Sequence, residues 1–154
     1  MSEKLVIRRM SSADIDTLHE MECNVYGGKG QSKEGMLRDI CEDGAYFFGA
    51  YCENEMVGFA SFGEDDEGEG KKIDVWNIAI DVMHRRKGYG RVLLKKIIAV
   101  AMSVDAVFIE AYTSNKNAMK MYESEGFFLD RLEENFYSTG ECANVLKMKL
   151  NHPE

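Results

Sequence analysis

Three cations, Arg85, Arg86 and Lys87, stand immediately before Gly88-Tyr89-Gly90, with a strand-like run before them and a helix-like run after. A glycine-bearing turn that enters a helix exposes several backbone N–H groups at the positive end of the helix dipole. Together with the basic side chains they make an anion site of the size of a phosphate or diphosphate. The chain has 19 Lys and Arg against 27 Asp and Glu, for a net charge of −8, so three consecutive cations run against its composition and point to function. The spacing excludes a P-loop, because no Lys-Ser or Lys-Thr pair follows the glycines. A dinucleotide-binding turn needs a third glycine, and Leu93 occupies that place. Glu110 lies about where such a fold puts its ribose-binding acid, but a second βαβαβ half is lacking.

Glu110 is the second candidate group. It stands among Phe108, Ile109, Ala111 and Tyr112 in a strand-like run. A carboxyl group in apolar surroundings is expected to have a raised pKa, which suits a general base. A buried glutamate held by an arginine for structure is the alternative. Tyr122 and Asn115 sit on the short helix that follows, where a phenol can serve as a proton donor or simply face the core. The four cysteines (Cys23, Cys41, Cys52, Cys142) form no CxxC pair, and His19, His84 and His152 are scattered. No metal site and no covalent nucleophile is expected.

The elements that must position these groups follow from periodicity. Leu5–Ile7 reads as a short strand. Ser11-Ser12 with Asp14 starts a helix carrying Ile15, Leu18, Met21 and Val25 at helical spacing, and Gly27-Gly28-Lys29-Gly30 ends it. Met36, Leu37 and Ile40 indicate a second short helix. Ala45–Cys52 and Met56–Phe62, joined by Glu53-Asn54-Glu55, form a hairpin, and the acidic stretch 64–70 is expected to be a solvated loop. In the strand Ile73–Val82, Ile73 and Val75 alternate on odd positions but Trp76, Ile78 and Ile80 on even ones. That change of parity predicts a β-bulge near Val75–Asn77. A helix over Arg91–Ser103, a strand over Ala106–Thr113, a helix from an N-cap at Ser114 to Glu125 and two late strands complete the chain. The order β-α-α-β-β-β-α-β-α-β-β indicates an α/β fold with one mixed sheet.

The 154 residues, 45% apolar and 30% charged, fit a single domain over 1–154 with enough core to need no disulfides. Nucleic acid is an unsuitable partner for an acidic chain. The longest apolar run of the central helix, Ile97–Met102, is far too short to span a bilayer, and a cytoplasmic location is expected.

Arg85-Arg86-Lys87-Gly88-Tyr89-Gly90 resembles the Q/R-x-x-G-x-G/A acyl-CoA pyrophosphate motif of the GNAT N-acetyltransferase superfamily. Asn115 to Phe127, NKNAMKMYESEGF, resembles that family's N-x-x-A-x-x-x-Y-x-x-x-G-F. The resemblance covers Leu5 to Leu150. It implies a central, mostly antiparallel mixed sheet with a bulged, splayed fourth strand and about four helices. It also implies acetyl-CoA as cosubstrate, its diphosphate at Arg85–Gly90, its pantetheine arm along Ile78-Ala79-Ile80, and a further contact at Asn115. Glu110 would be the base, and Tyr122 the acid that protonates the departing thiolate, with the amine attacking directly.

Within the superfamily the sequence looks most like the ribosomal-protein alanine N-acetyltransferases, whose late aromatic pair matches Phe136-Tyr137. A peptide N-terminus would then lie between the first helical loop and the late hairpin. Tyr26-Gly27-Gly28-Lys29-Gly30 replaces the hydrophobic gripping element usual in that loop, and Val82 stands where many relatives carry proline. A polyamine- or aminoglycoside-type amine, a lysine side chain, and a non-catalytic acyl-CoA-binding module stay open as alternatives. Monomer and homodimer are equally compatible with the sequence.

Overall fold

Strand-forming aromatics and β-branched residues settle into seven strands, and the 3.6-residue stripes into four helices, among the described residues of the computed structural model of the chain. It describes residues 4–28, 30–66, 68, 70–137 and 140–152. Lys29 of the glycine-rich loop and Glu67 and Glu69 of the acidic stretch lie outside the described residues. The elements are β1 (Leu5–Arg9), α1 (Ile15–Tyr26), α2 (Lys33–Ile40), β2 (Ala45–Cys52), β3 (Glu55–Asp66), β4 (Lys71–Ile80), α3 (Tyr89–Ser103), β5 (Phe108–Thr113), α4 (Lys116–Ser124), β6 (Phe128–Glu133) and β7 (Ala143–Lys149). Short 3-10 turns at Ser12–Asp14 and Val82–His84 precede α1 and α3. The strands follow the order β1-β2-β3-β4-β5-β7-β6 in one mixed sheet, the mixed α/β class expected from the element order. The β4–β5 pairing is parallel, while β1–β2, β2–β3, β5–β7 and β6–β7 are antiparallel.

The chain forms two compact units. The first comprises Met1–Gly63 and Asn77–Ile97. Its core gathers Leu18 and Met21 of α1 and Met36 of α2 with the strand residues Phe47, Met56, Phe59 and Ala79. A capping box between Ser11 and Asp14 opens the first helical segment, and the Ser32 hydroxyl accepts from Gly35 N at the start of α2. The second unit comprises Glu64–Trp76 and Ile98–Glu154. There Ile73, Ile109, Ala111, Val145 and Leu146 are buried.

Three expectations change. The acidic stretch is not all loop: Glu64–Asp66 prolong β3, and Glu64 pairs with Lys71 at 2.8 Å, so the acidic side chains find a cation across the turn. The cap of α4 is Asn115, not Ser114; its Oδ1 accepts from Asn117 N (2.8 Å) and Ala118 N (3.1 Å). The parity argument for β4 does not describe its burial. Ile73, Val75 and Ala79 are all buried on odd positions, whereas Trp76 is exposed and Ile78 and Ile80 half-buried. Apolar type misled because a large apolar side chain need not be core. β4 does part from β5: their pairing runs from Lys72↔Phe108 to Val75↔Ala111, five residues before β4 ends at Ile80.

Candidate active site

The turn between β4 and α3 is built on left-handed backbone. Arg86 has φ 65° and Gly88 φ 80°, and α3 begins at Tyr89. Such a conformation favours glycine, and adding a Cβ at Gly88 meets nothing, so the constraint there is backbone angle alone. Arg85, Arg86, Lys87 and Gly88 are exposed, as an anion site requires, whereas Tyr89 is buried with its hydroxyl 3.3 Å from the Cys52 thiol. Tyr89 therefore anchors the turn through its buried side chain. Arg85 Nε donates to Ile80 O at 3.0 Å, folding the cationic loop back on the end of β4. Asp81 N donates to Val57 O (2.9 Å), and a Cβ on Gly58 would come within 2.5 Å of Ala79 O. Ile78, Ala79 and Ile80 thus share the first unit with the turn and are held close to it. Below them, Tyr26 OH donates to Asn77 Oδ1 (3.0 Å), its own pKa pushed up to about 12 by burial and by Glu22. Buried Glu22 accepts from Gln31 N at 2.7 Å and latches the end of the glycine-rich loop.

The acid–base candidates lie in the second unit. Period-two alternation puts Lys72, Asp74 and Trp76 on the opposite face of β4 from Ile73 and Val75, and the register sets Asp74 beside Glu110 on β5. Glu110 is 3% exposed. Its Oε1 accepts from Lys72 Nζ at 2.7 Å and its Oε2 from Arg131 Nη1 at 2.6 Å. Burial by itself would raise the Glu110 pKa, but the two hydrogen bonds and the charges behind them outweigh it and hold the group below the usual carboxylate range. The expectation of a raised pKa is overturned: the sequence did not show that two cations from β4 and β6 would converge on this side chain. The arginine-held arrangement, weighed as the alternative, is the one present. Tyr122 is 5% exposed, its ring 5.2 Å from that of Phe127. Asn115 spends its side-chain carbonyl on the α4 cap.

The same unit holds an open cavity of about 370 Å³ lined by Asp74, Val75, Trp76, Tyr112, Phe136 and Tyr137. Tyr112 and Phe136 stack at 4.9 Å, and Tyr137 meets Phe136 edge-on at 5.0 Å. The pair Phe136-Tyr137 was legible in the sequence. Asp74 was not singled out, although Lys72 and Asp74 alternating with Ile73 and Val75 is a signal of a strand with one polar face. Among the described residues no group of three or more His, Cys, Asp or Glu is placed to hold a metal ion.

Residues 15–127 match the family model described as "Acetyltransferase (GNAT) family". The chain belongs to that family. The GNAT chain is 24% identical over 154 residues to the N-alpha-acetyltransferase RimI of Mycobacterium tuberculosis, an alignment covering 99% of this chain and 97% of the relative. It spans 41% and 28% of the length of two further curated relatives. Its fold is that of the ribosomal-protein-S18-alanine N-acetyltransferase from Escherichia coli (TM-score 0.84, 20% identity, 98% of this chain and 97% of that one). It is equally that of Arabidopsis thaliana NAA60, solved in complex with acetyl-CoA (TM-score 0.84, 13% identity, 97% of this chain and 100% of that one).

Proposed function

We propose that the chain is an acetyl-CoA-dependent N-acetyltransferase whose acceptor is the free α-amine at a protein or peptide N-terminus. The observation that carries this reading is the exposed cationic turn Arg85–Gly90, with left-handed backbone at Arg86 and Gly88, leading into α3 within a GNAT chain. The diphosphate of acetyl-CoA takes the N–H groups of this turn and the charges of Arg85, Arg86 and Lys87. The pantetheine arm lies along Ile78-Ala79-Ile80 as an added strand, and Asn115 supplies a further contact.

Transfer requires a neutral amine: its nitrogen attacks the acetyl carbonyl carbon, the C–S bond breaks, and the thiolate takes a proton. Tyr122 is the proton donor in this scheme. Glu110, tied to Lys72 and Arg131, is ionised throughout the neutral range and a weak proton acceptor; its part is to fix those two cations, with the amine's proton leaving through water. This favours an α-amine as acceptor. With a pKa near 8 it is neutral for roughly a tenth of the time at pH 7, against well under one part in a thousand for lysine. N-alpha-acetyltransferase relatives support the same choice.

The test is acetyl-CoA-dependent thiol release, with mass spectrometry of the acceptors, over a panel of free-N-terminus peptides, N-terminally blocked lysine peptides, polyamines and aminoglycosides. Acetylation confined to free α-amines is the expected result. Turnover only on lysine or small amines overturns the acceptor, and CoA binding without any turnover indicates a non-catalytic acyl-CoA-binding module.

A further inference from the structure

The pairing of β4 with β5 stops at Val75, so the position of Ile78-Ala79-Ile80 depends on what holds the strand elsewhere. Two fixings bracket that segment. At its C-terminal end Asp81 N donates to Val57 O at 2.9 Å, and Arg85 Nε donates to Ile80 O at 3.0 Å. At its N-terminal end stands the half-buried Asn77. Asn77 Oδ1 accepts from Tyr26 OH at 3.0 Å, and its Nδ2 donates to the Oγ of buried Ser61 at 3.2 Å. One side-chain amide thus ties β4 to the last residue of α1 and to β3. The last turn of α1 is itself clamped, because Glu22 Oε1 accepts from Gln31 N at 2.7 Å.

We infer that Tyr26 is a positioning residue for the acetyl donor: through Asn77 it holds the end of β4 in the course that lets Ile78-Ala79-Ile80 pair with the pantetheine arm. The inference rests on the acetyl-CoA reading for the identity of that arm. An added strand forms its hydrogen bonds only where the receiving N–H and C=O groups already stand at strand spacing. Order present in the unliganded protein is order that binding need not supply, so the tie acts on affinity for the arm. Tyr26 suits the role chemically. Partial burial and Glu22 push its pKa up to about 12, against the pull of Arg85, so the phenol keeps its proton and donates to Asn77 throughout the neutral range. It also suits the role by its place. Tyr26 is 37% exposed at the end of its helix, so removal of its hydroxyl is expected to leave the fold intact while loosening one end of the bracketed segment.

Calorimetry on the full chain compares acetyl-CoA with ADP, which carries a diphosphate but no pantetheine arm and is read by its competition with acetyl-CoA. Tyr26→Phe is expected to weaken acetyl-CoA by about three- to tenfold, the range of one lost hydrogen bond, with ADP within about twofold of native. Its melting temperature is expected to stay at the native value, which separates positioning from a general loss of structure. Asn77→Ala is expected to lose at least as much acetyl-CoA affinity, and combining it with Tyr26→Phe to cost nothing more, because the two residues act through one contact. Native acetyl-CoA affinity in Tyr26→Phe, an equal loss for ADP, or losses that add in the double variant each overturn the inference. Native binding of acetyl-CoA that is indifferent to Tyr26→Phe removes the positioning role alone, whereas a native chain that binds no acetyl-CoA removes the acetyl-transfer reading and this inference with it.

Discussion

Glu110 and Asp74 lie side by side on adjacent strands and respond to burial in opposite ways. Glu110 has its folded pKa below the unfolded value. Its stabilising contribution is present above the unfolded carboxylate pKa and is lost as pH falls through the folded one. Asp74 has its folded pKa above the unfolded value, so the fold is favoured below the unfolded pKa and that advantage disappears as pH rises through the folded one. Two substitutions separate them. Glu110→Gln is expected to lose about 2–3 kcal/mol at neutral pH, near the lower end for a broken buried ion pair because Arg131 is partly exposed. Asp74→Asn is expected to melt higher than the native chain at neutral pH, with the difference closing under acid. Thermal melts from about pH 2 to about pH 8 check both signs. The location of Glu110 in a buried strand could be read from Phe108-Ile109-Glu110-Ala111, but its ionisation could not. Lys72 lies 38 residues before it and Arg131 21 residues after, and only the sheet brings them together.

At the scale of the element, two local devices fix the N-terminal ends of α3 and α4. Gly88 needs a backbone angle that other residues reach at a cost of roughly 1–2 kcal/mol. Gly88→Ala is expected to fold, since the added Cβ meets nothing, and to weaken acetyl-CoA about tenfold by calorimetry as the turn relaxes. Asn115→Ala removes the acceptor of two α4 amides and is expected to cost about 1 kcal/mol in denaturant titration, with Asn115→Asp keeping most of it. Element types and order were legible because the patterns are strong: Leu93, Leu94, Ile97 and Ala101 do form the buried face of α3. What misled was local. Ser114 is as good a cap type as Asn115, and only backbone geometry chooses between them. Trp76, Ile78 and Ile80 are apolar without being fully buried, so residue type suggested a change of parity that the burial of β4 does not follow.

Over the whole molecule, charge is divided unevenly: a chain of net −8 keeps three adjacent cations on one exposed turn. Acetyl-CoA affinity is expected to fall steadily with added salt as those cations are screened. The acidic remainder favours cationic acceptors, so basic peptides should be acetylated faster than acidic ones at low ionic strength, with the gap narrowing in salt. Competition between two mass-tagged peptides of opposite charge measures this. Everything in the catalytic account presupposes that the turn at Arg85–Gly90 holds the diphosphate of the acetyl donor. Titrating acetyl-CoA into the native chain in a calorimeter tests that claim most directly. The account predicts saturable heat at one molecule per chain, diminished in Gly88→Ala; an absence of heat from correctly folded protein would contradict it.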